Sequence, residues 1–290
     1  MRISQLLARD GVTFSLEVFP PKTSDKYTQT AEAAKEIAAL KPDFMSVTYG
    51  AGGGTGAFTA GIASEIQAEF GVPTLAHLTC VSSNRDHVLK MLDTYREKGI
   101  ENILALRGDL PKDGAISTDY KYAVELIRDI RAHGDFCIGG ACYPEGHIEC
   151  ANKREDMRHL KDKVDAGLSF LTTQLFFNND VFYNFLWRAR EAGIRVPIIA
   201  GIMPITAARQ LSRSVAMSGT DVPQRFRAIV DHFGTSDAAM QQAGIIYATE
   251  QIIDLIANGV RHIHLYTMNK PEVAGSIMNN LSVILGRDHA

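Results

Sequence analysis

A carboxylate is set inside an apolar run. Thr13-Phe14-Ser15-Leu16-Glu17-Val18-Phe19 reads as a strand, and Pro20-Pro21 ends it. Loss of water around the charged form raises the pKa of such a group, which makes Glu17 a candidate general acid near neutral pH. The alternative is a carboxylate paired with a cation on a neighbouring strand. Other apolar runs also end on polar or ring-bearing residues: Thr48 and Tyr49, His77, Arg107 and Asp109, Tyr143, and Gln174. Arg107-Gly108-Asp109 offers a cation, a flexible step and an anion, suited to a polar ring edge or a phosphate, or to a local ion pair. His77, in strand alternation, reads equally as a satisfied core histidine. Tyr143-Pro144-Glu145-Gly146-His147 supplies an aromatic face and an imidazole.

Two further patterns are less specific. Ala51-Gly52-Gly53-Gly54-Thr55-Gly56 could cradle a phosphate through backbone amides but lacks the lysine of a phosphate-binding loop, so an active-site loop is an equal reading. Asp156, His159 and Lys163 fall on one helical face, a pattern that usually marks a solvated stripe. Cys80, Cys137, Cys142 and Cys150 form no C-x-x-C pair and no zinc spacing, so no metal is expected, and the cysteines read as packing residues.

These residues need a scaffold that gathers strand ends. Apolar runs of strand length occur at 13–19, 43–49, 73–79, 101–107, 136–142, 168–175, 196–202 and 261–267. Helical periodicity fills 26–40, 58–70, 85–98, 119–132, 153–166, 180–192, 206–217, 237–258 and 271–286. Gly71, Gly99, Gly134, Gly167, Gly193 and Gly259 follow periodic stretches where a left-handed C-cap is wanted, and Ser24, Asp25, Asn84, Asn179 and Thr206 stand at helix starts. Runs such as Ile198-Ile199-Ala200-Gly201-Ile202 are apolar on both faces, as in a parallel sheet covered by helices. Eight strand-helix units without a composition break predict an α/β fold, a single (β/α)8 TIM barrel over 1–290. The long last interval predicts an extra helix at about 222–233 before the eighth strand. An open doubly wound sheet would need a nucleotide fingerprint after the first strand, and Phe19-Pro20-Pro21-Lys22 is unlike one.

Composition narrows the partners. The 290 residues are 46% hydrophobic and 22% charged, with a net charge of −3 and both signs mixed along the chain. That excludes disorder and gives no basic stripe for nucleic acid. No apolar stretch reaches membrane-spanning length and the first ten residues lack a signal core, so no membrane partner and a cytoplasmic location are expected.

The strings Ser15–Lys22, Ser46–Ala51, Ala76–Cys80, Ala105–Pro111, Tyr143–His147, Asp165–Gly167 with Thr173–Phe177, Gly201–Ile205 and His264–Asn269 together resemble the methylenetetrahydrofolate reductase family, in order and over essentially the whole chain. The resemblance implies a flavoprotein barrel that binds FAD, takes a hydride from NADH or NADPH and passes it to methylenetetrahydrofolate by a ping-pong mechanism. The product, methyltetrahydrofolate, feeds methionine synthesis. It further implies a homo-oligomer of the bacterial type, without the regulatory domain of eukaryotic members. By motif, Glu17 would protonate the folate, and Asp109 would lie between flavin and folate. Gln174, Gln210, Asp109 and Lys270 would contact folate, Lys270 standing where the bacterial pattern often has Arg. FAD would be held by Thr48, Tyr49, Ala51, His77, Arg107, Gly108, Asp109, Ala123, Tyr143, His147, Asp156, His159 and Lys163. Ser214 or its neighbours stand where relatives place an aromatic that covers folate. The rival readings are another flavin-dependent barrel oxidoreductase, an aldolase, and a folate-binding protein without turnover; no strand-end lysine supports a Schiff-base aldolase, and a mere binder has no use for a buried acid.

Overall fold

Alternating strand and helix patterns resolve into a closed ring. The computed structural model describes residues 1–50, 55–110 and 116–287. Strands β1 (Thr13–Val18), β2 (Phe44–Val47), β3 (Thr74–Thr79), β4 (Asn102–Leu106), β5 (Cys137–Cys142), β6 (Phe170–Thr173), β7 (Ile198–Ile202) and β8 (His262–Tyr266) pair in parallel and in sequence order. The ring closes where β8 meets β1, with Ser15 opposite His264 and Glu17 opposite Tyr266. A parallel pair requires a crossover, and the crossovers are the helices of the outer layer. These are α2 (Tyr27–Ala39), α3 (Gly56–Phe70), α4 (Arg85–Glu97), α5 (Ala123–His133), α6 (Lys153–Asp165), α7 (Asn179–Glu191) and α8 (Ala208–Ser218). Helix α9 (Gln224–Phe233) stands between α8 and α10 (Asp237–Ala257), ahead of β8, and α11 (Pro271–Asn280) follows it.

The period of two decides which side chains enter the barrel. Phe14, Leu16 and Val18 of β1 join Ala34, Ile37 and Ala38 of α2 in the large outer core. Ser15 and Glu17 therefore point inward. A second apolar cluster plugs the N-terminal end of the barrel with Phe44, Leu75, Leu104, Cys137, Phe170 and Ile199. Gly139 makes room for it, since a Cβ there would lie 2.4 Å from the Phe170 ring. This end is capped by α1 (Ile3–Leu7), a helix that the sequence pattern does not predict; its five residues are too few to show a period. Ile3, Leu6 and Leu7 bury into the plug, and the Ile3 amide donates to Asn102 Oδ1 at 2.8 Å.

Helix ends follow the expected chemistry with four departures, the first at α2, where Ser24 and Asp25 lie in a 3-10 turn and Lys26 occupies the cap position without a side-chain hydrogen bond. Asn84, Asn152, Asn178 and Ser236 accept backbone hydrogen bonds as N-caps. At α7 the cap is Asn178 rather than Asn179, and at α8 Ala207 occupies the cap position in place of Thr206, which lies one residue earlier. Five of the six expected terminal glycines take positive φ, whereas Gly134 is extended at −178° because the chain runs straight on towards β5.

Candidate functional site

At the C-terminal end of the barrel the inward residues turn polar. Glu17 is held from three sides: Ser46 Oγ donates to its Oε2 at 3.1 Å, His264 Nε2 lies 3.4 Å from the same oxygen, and His77 Nε2 lies 3.6 Å away. Its own backbone carbonyl accepts from Thr267 Oγ1 at 2.6 Å, which fixes the strand end. The carboxylate is 18% exposed, while the side chains of His77 and His264 are 7% and 3% exposed. It thus faces the barrel mouth from a nearly dry floor.

The expected rise in the Glu17 pKa is corrected by these neighbours. Burial pushes the carboxyl up, but the His264 hydrogen bond, the His77 and His264 imidazoles and the Ser46 hydroxyl outweigh it, and the net direction is down. An apolar strand predicted the desolvation. The polar residues on three other strands, which reverse its effect, are not adjacent in sequence. Burial also lowers His77 to about 4, so its ring is neutral near pH 7.

Three of these contacts, from Ser46, His264 and Thr267, come from residues not singled out in the sequence, and neither was Ser15, which stands behind His264. His264 Nδ1 lies 2.8 Å from Ser15 Oγ, and that hydroxyl also reaches the Ile263 carbonyl at 3.1 Å. Their signal was the strand period itself, because Ser15 and His264 alternate with apolar neighbours as Glu17 does. Tyr266, two residues beyond His264, meets its ring edge-on at 5.1 Å and donates to the Thr173 carbonyl at 2.5 Å.

A second group of residues lies on the β4, β5 and β6 side. Arg107 forms a bidentate pair with Glu149 at 2.6 and 2.7 Å, and its Nε donates to the Gly108 carbonyl. Gly108 has φ +90°, and a Cβ there would lie 3.1 Å from Thr79 and Val81, so only glycine fits this turn. Asp109 is exposed beside it. Tyr143 and His147 meet edge to face at 4.6 Å. Burial lowers the His147 pKa and the Arg107 cation adds to this. Lys163 reaches in from α6 and donates to the Ala141 carbonyl at 2.7 Å, its pKa pushed down by burial and held up in part by Cys142 and Asp156. The α6 face carrying Asp156 and Lys163 therefore adjoins β5; His159, further out, stacks at 6.5 Å on Tyr122, beside Ala123.

Other expected site residues are placed as follows. Thr48 stands at the end of β2, its carbonyl accepting from Thr59. Tyr49 turns outward, its hydroxyl 3.0 Å from His87 of α4, so its side chain is part of the outer core. Gln174 Oε1 accepts from the Leu175 amide, and Gln210 bridges the Thr206 amide and the Pro204 carbonyl. Lys270 Nζ donates to Thr206 Oγ1 at 2.8 Å, joining the loops after β8 and β7. Ser214 Oγ lies 3.4 Å from Met203 Sδ. Ala51, with most of the glycine-rich stretch, lies outside the described residues.

The residues present fit a flavin dinucleotide on observations of this site. His77 Nε2 is buried with no hydrogen-bond partner among the described residues, Gly108 lets backbone come close, and Arg107 and Lys163 bring two cations to one side.

Such a barrel, with an inward-facing acid and cations near it at the C-terminal rim, has the layout of a TIM-barrel enzyme site. Family comparison narrows that class. The model of the methylenetetrahydrofolate reductase family matches residues 2–282, and the chain belongs to that family. It is 38% identical over 98% of its length to methylenetetrahydrofolate reductase 1 of Schizosaccharomyces pombe, spanning 49% of that protein. It is 34% identical to 5,10-methylenetetrahydrofolate reductase of Pectobacterium carotovorum, covering 97% of this chain and 93% of the relative. The chain thus spans about half the length of its eukaryotic relatives and nearly all of the bacterial one. In fold it is similar to an uncharacterized Clostridium thermocellum protein that binds two copies of 5-methyl-5,6,7,8-tetrahydrofolic acid, with a TM-score of 0.64 at 13% identity over 98% of this chain and 99% of that one.

Proposed function

We infer that this protein reduces 5,10-methylenetetrahydrofolate to 5-methyltetrahydrofolate, with FAD as its cofactor and NADH or NADPH as hydride donor. The observation that carries the reading is Glu17, an inward-facing carboxylate anchored by Ser46 and flanked by two imidazoles, in a chain of this family. When bound, FAD supplies the hydride chemistry, accepting from the nicotinamide and donating to folate. The chain supplies position, charge and a proton. Arg107, Gly108, Tyr143, His147, Asp156 and Lys163 form the cofactor side of the rim, and Thr48, His77, Ala123 and His159 border it. Asp109 stands at the edge between cofactor and folate, where its charge disfavours a second negative charge. Gln174, Gln210 and Lys270 line the folate side, with Lys270 available to a glutamate carboxylate as a point charge rather than a fork.

Glu17 protonates the folate nitrogen whose bond to the one-carbon bridge must open. Its lowered pKa in the free protein means that folate binding must favour the protonated form, by excluding the remaining water and placing a hydrogen-bond acceptor before the carboxyl. The rim would hold one partner beside the cofactor at a time, so nicotinamide would leave before folate enters. This is the origin of the ping-pong order, and the product places the enzyme in one-carbon metabolism ahead of methionine synthesis. The test is optical: the purified protein is expected to be yellow and to bleach anaerobically with reduced nicotinamide before any folate is added. A colourless protein that FAD cannot reconstitute overturns the reading, and stopped-flow bleaching with each nicotinamide identifies the donor.

A further inference from the structure

We propose that Ser15, His264 and Glu17 form one proton-holding unit, in which His264 is a positioning residue that keeps Glu17 hydrogen-bonded both before and after it gives up its proton. This rests on the folate reading above. Ser15 and Ser46 are fully buried and His264 is 2% exposed, so the unit must satisfy its hydrogen bonds internally. The distances allow two complete arrangements.

In the discharged arrangement the Ser15 hydroxyl donates to His264 Nδ1, 2.8 Å away, and the ring carries its proton on Nε2, donating to the ionised Glu17 at 3.4 Å. In the loaded arrangement the Ser15 hydroxyl turns to the Ile263 carbonyl at 3.1 Å and accepts from Nδ1–H, leaving one proton shared between Nε2 and Glu17 Oε2. The two differ by one proton and the rotation of one hydroxyl. Without that rotation the loaded form would leave two donors, Ser15 O–H and Nδ1–H, facing each other. Ser46 serves both, since its hydroxyl reaches Oε2 at 3.1 Å and Nε2 at 3.4 Å.

The other groups facing the unit do not compete for the proton. The His77 ring, 3.6 Å from Oε2, is neutral near pH 7 because burial lowers it to about 4. The Tyr266 phenol is turned away onto the Thr173 carbonyl, and Phe44 stacks on the His264 ring at 6.4 Å with no titrating group. During turnover the Glu17 O–H bond breaks and an N–H bond forms on folate, and the unit relaxes to its discharged arrangement. Solvent then returns one proton through the open edge of Glu17.

The test uses the full chain labelled with 15N-histidine, without cofactor, followed by NMR from pH 9 to 5. Among the nine histidines, His264 is assigned by the resonance that H264F loses; H264Q replaces H264F if the latter does not fold. His264 is expected to pass from an Nε2–H tautomer at alkaline pH to a ring with a proton on Nδ1 and a shared proton at Nε2, and E17Q should abolish that transition. A His264 ring that keeps one tautomer across the range, or one whose transition survives E17Q, overturns the proposal. In single-turnover oxidation of the reduced flavin by folate, H264F should lose about tenfold in rate and move the midpoint of the pH profile upward, because it removes a hydrogen bond that lowers the Glu17 pKa. A slower variant with an unmoved midpoint would make His264 merely structural. If the NMR transition is present but folate oxidises no flavin at any pH, the functional reading has failed and the proton unit stands.

Discussion

The two ends of this barrel are built by the same strands to opposite specifications. Along β2 the inward residues run from Phe44 to Ser46 to Thr48, and along β3 from Leu75 to His77 to Thr79. Two residues, roughly 6.6 Å of strand, separate an apolar plug from a polar site. The closed end, sealed by α1, contributes cohesion. The open end contributes chemistry, with Glu17, His77 and His264 collected where a well-packed core would place leucines. The period of two makes the separation possible, because each strand can change character along its length without changing which face is inward.

Substitutions at the two ends should therefore fail differently. Glu17→Gln is expected to lower folate turnover by a hundredfold or more, the scale of a lost general acid, with flavin bleaching by nicotinamide within a few-fold of wild type and thermal stability nearly unchanged. Equal loss of both half-reactions would merge the acid with the cofactor site and break the contrast. Phe170→Ala should cost about 3–5 kcal/mol in denaturant unfolding, since the ring is fully buried in the plug. The fraction that remains folded should keep its flavin affinity; a selective loss of flavin binding would show that the two ends are coupled.

His262 tests the closed end by pH. It is 8% exposed, its Nδ1 has no partner among the described residues, and burial, with Arg261 adding, lowers its pKa from 6.5 to about 4. The unfolded chain then binds a proton that the folded chain refuses between these values, so stability is intact above pH 6.5 and falls as pH drops towards 4. The loss is up to about 3 kcal/mol at roughly 1.4 kcal/mol per unit. His262→Gln should flatten this acid limb in urea titrations at pH 7, 5.5 and 4.5, though His77 retains a slope of the same sign. An unchanged limb would assign the whole effect to the rim. The smallest effect belongs to neither end: Lys161→Ala, removing the exposed pair with Asp165 on α6, should change stability by less than about 0.5 kcal/mol. A loss as large as that of Phe170→Ala would mean that the outer helices bear as much of the stability as the plug.

The fold was legible because its strands and helices each carry their own period, and the strand intervals agree with the structure to within two or three residues. Helix α1 was not, as five residues carry no period and its apolar side is defined only by the N-terminal barrel end it closes. At the site, Glu17 stood out as a charge in an apolar run, whereas Ser15 and Ser46 are small hydroxyls that strands commonly hold. Their meaning depends on the β1–β2 and β8–β1 registers, which bring Ser46 and Tyr266 opposite Glu17. The sign of the Glu17 shift was lost for the same reason. Burial can be read from one strand, but hydrogen bonding needs its neighbours.

The Thr267 hydroxyl bound to the Glu17 carbonyl joins residues 250 apart, and Asn269 clamps the backbone of Phe19 across the same seam. Contacts of such sequence separation carry the largest loop-closure cost and tend to form late. The acid is therefore set in place only when the last strand docks on the first. During refolding, secondary structure and burial should recover before the carboxylate is seated, so folate turnover would be among the last properties to return, and its appearance would time the closing of the ring.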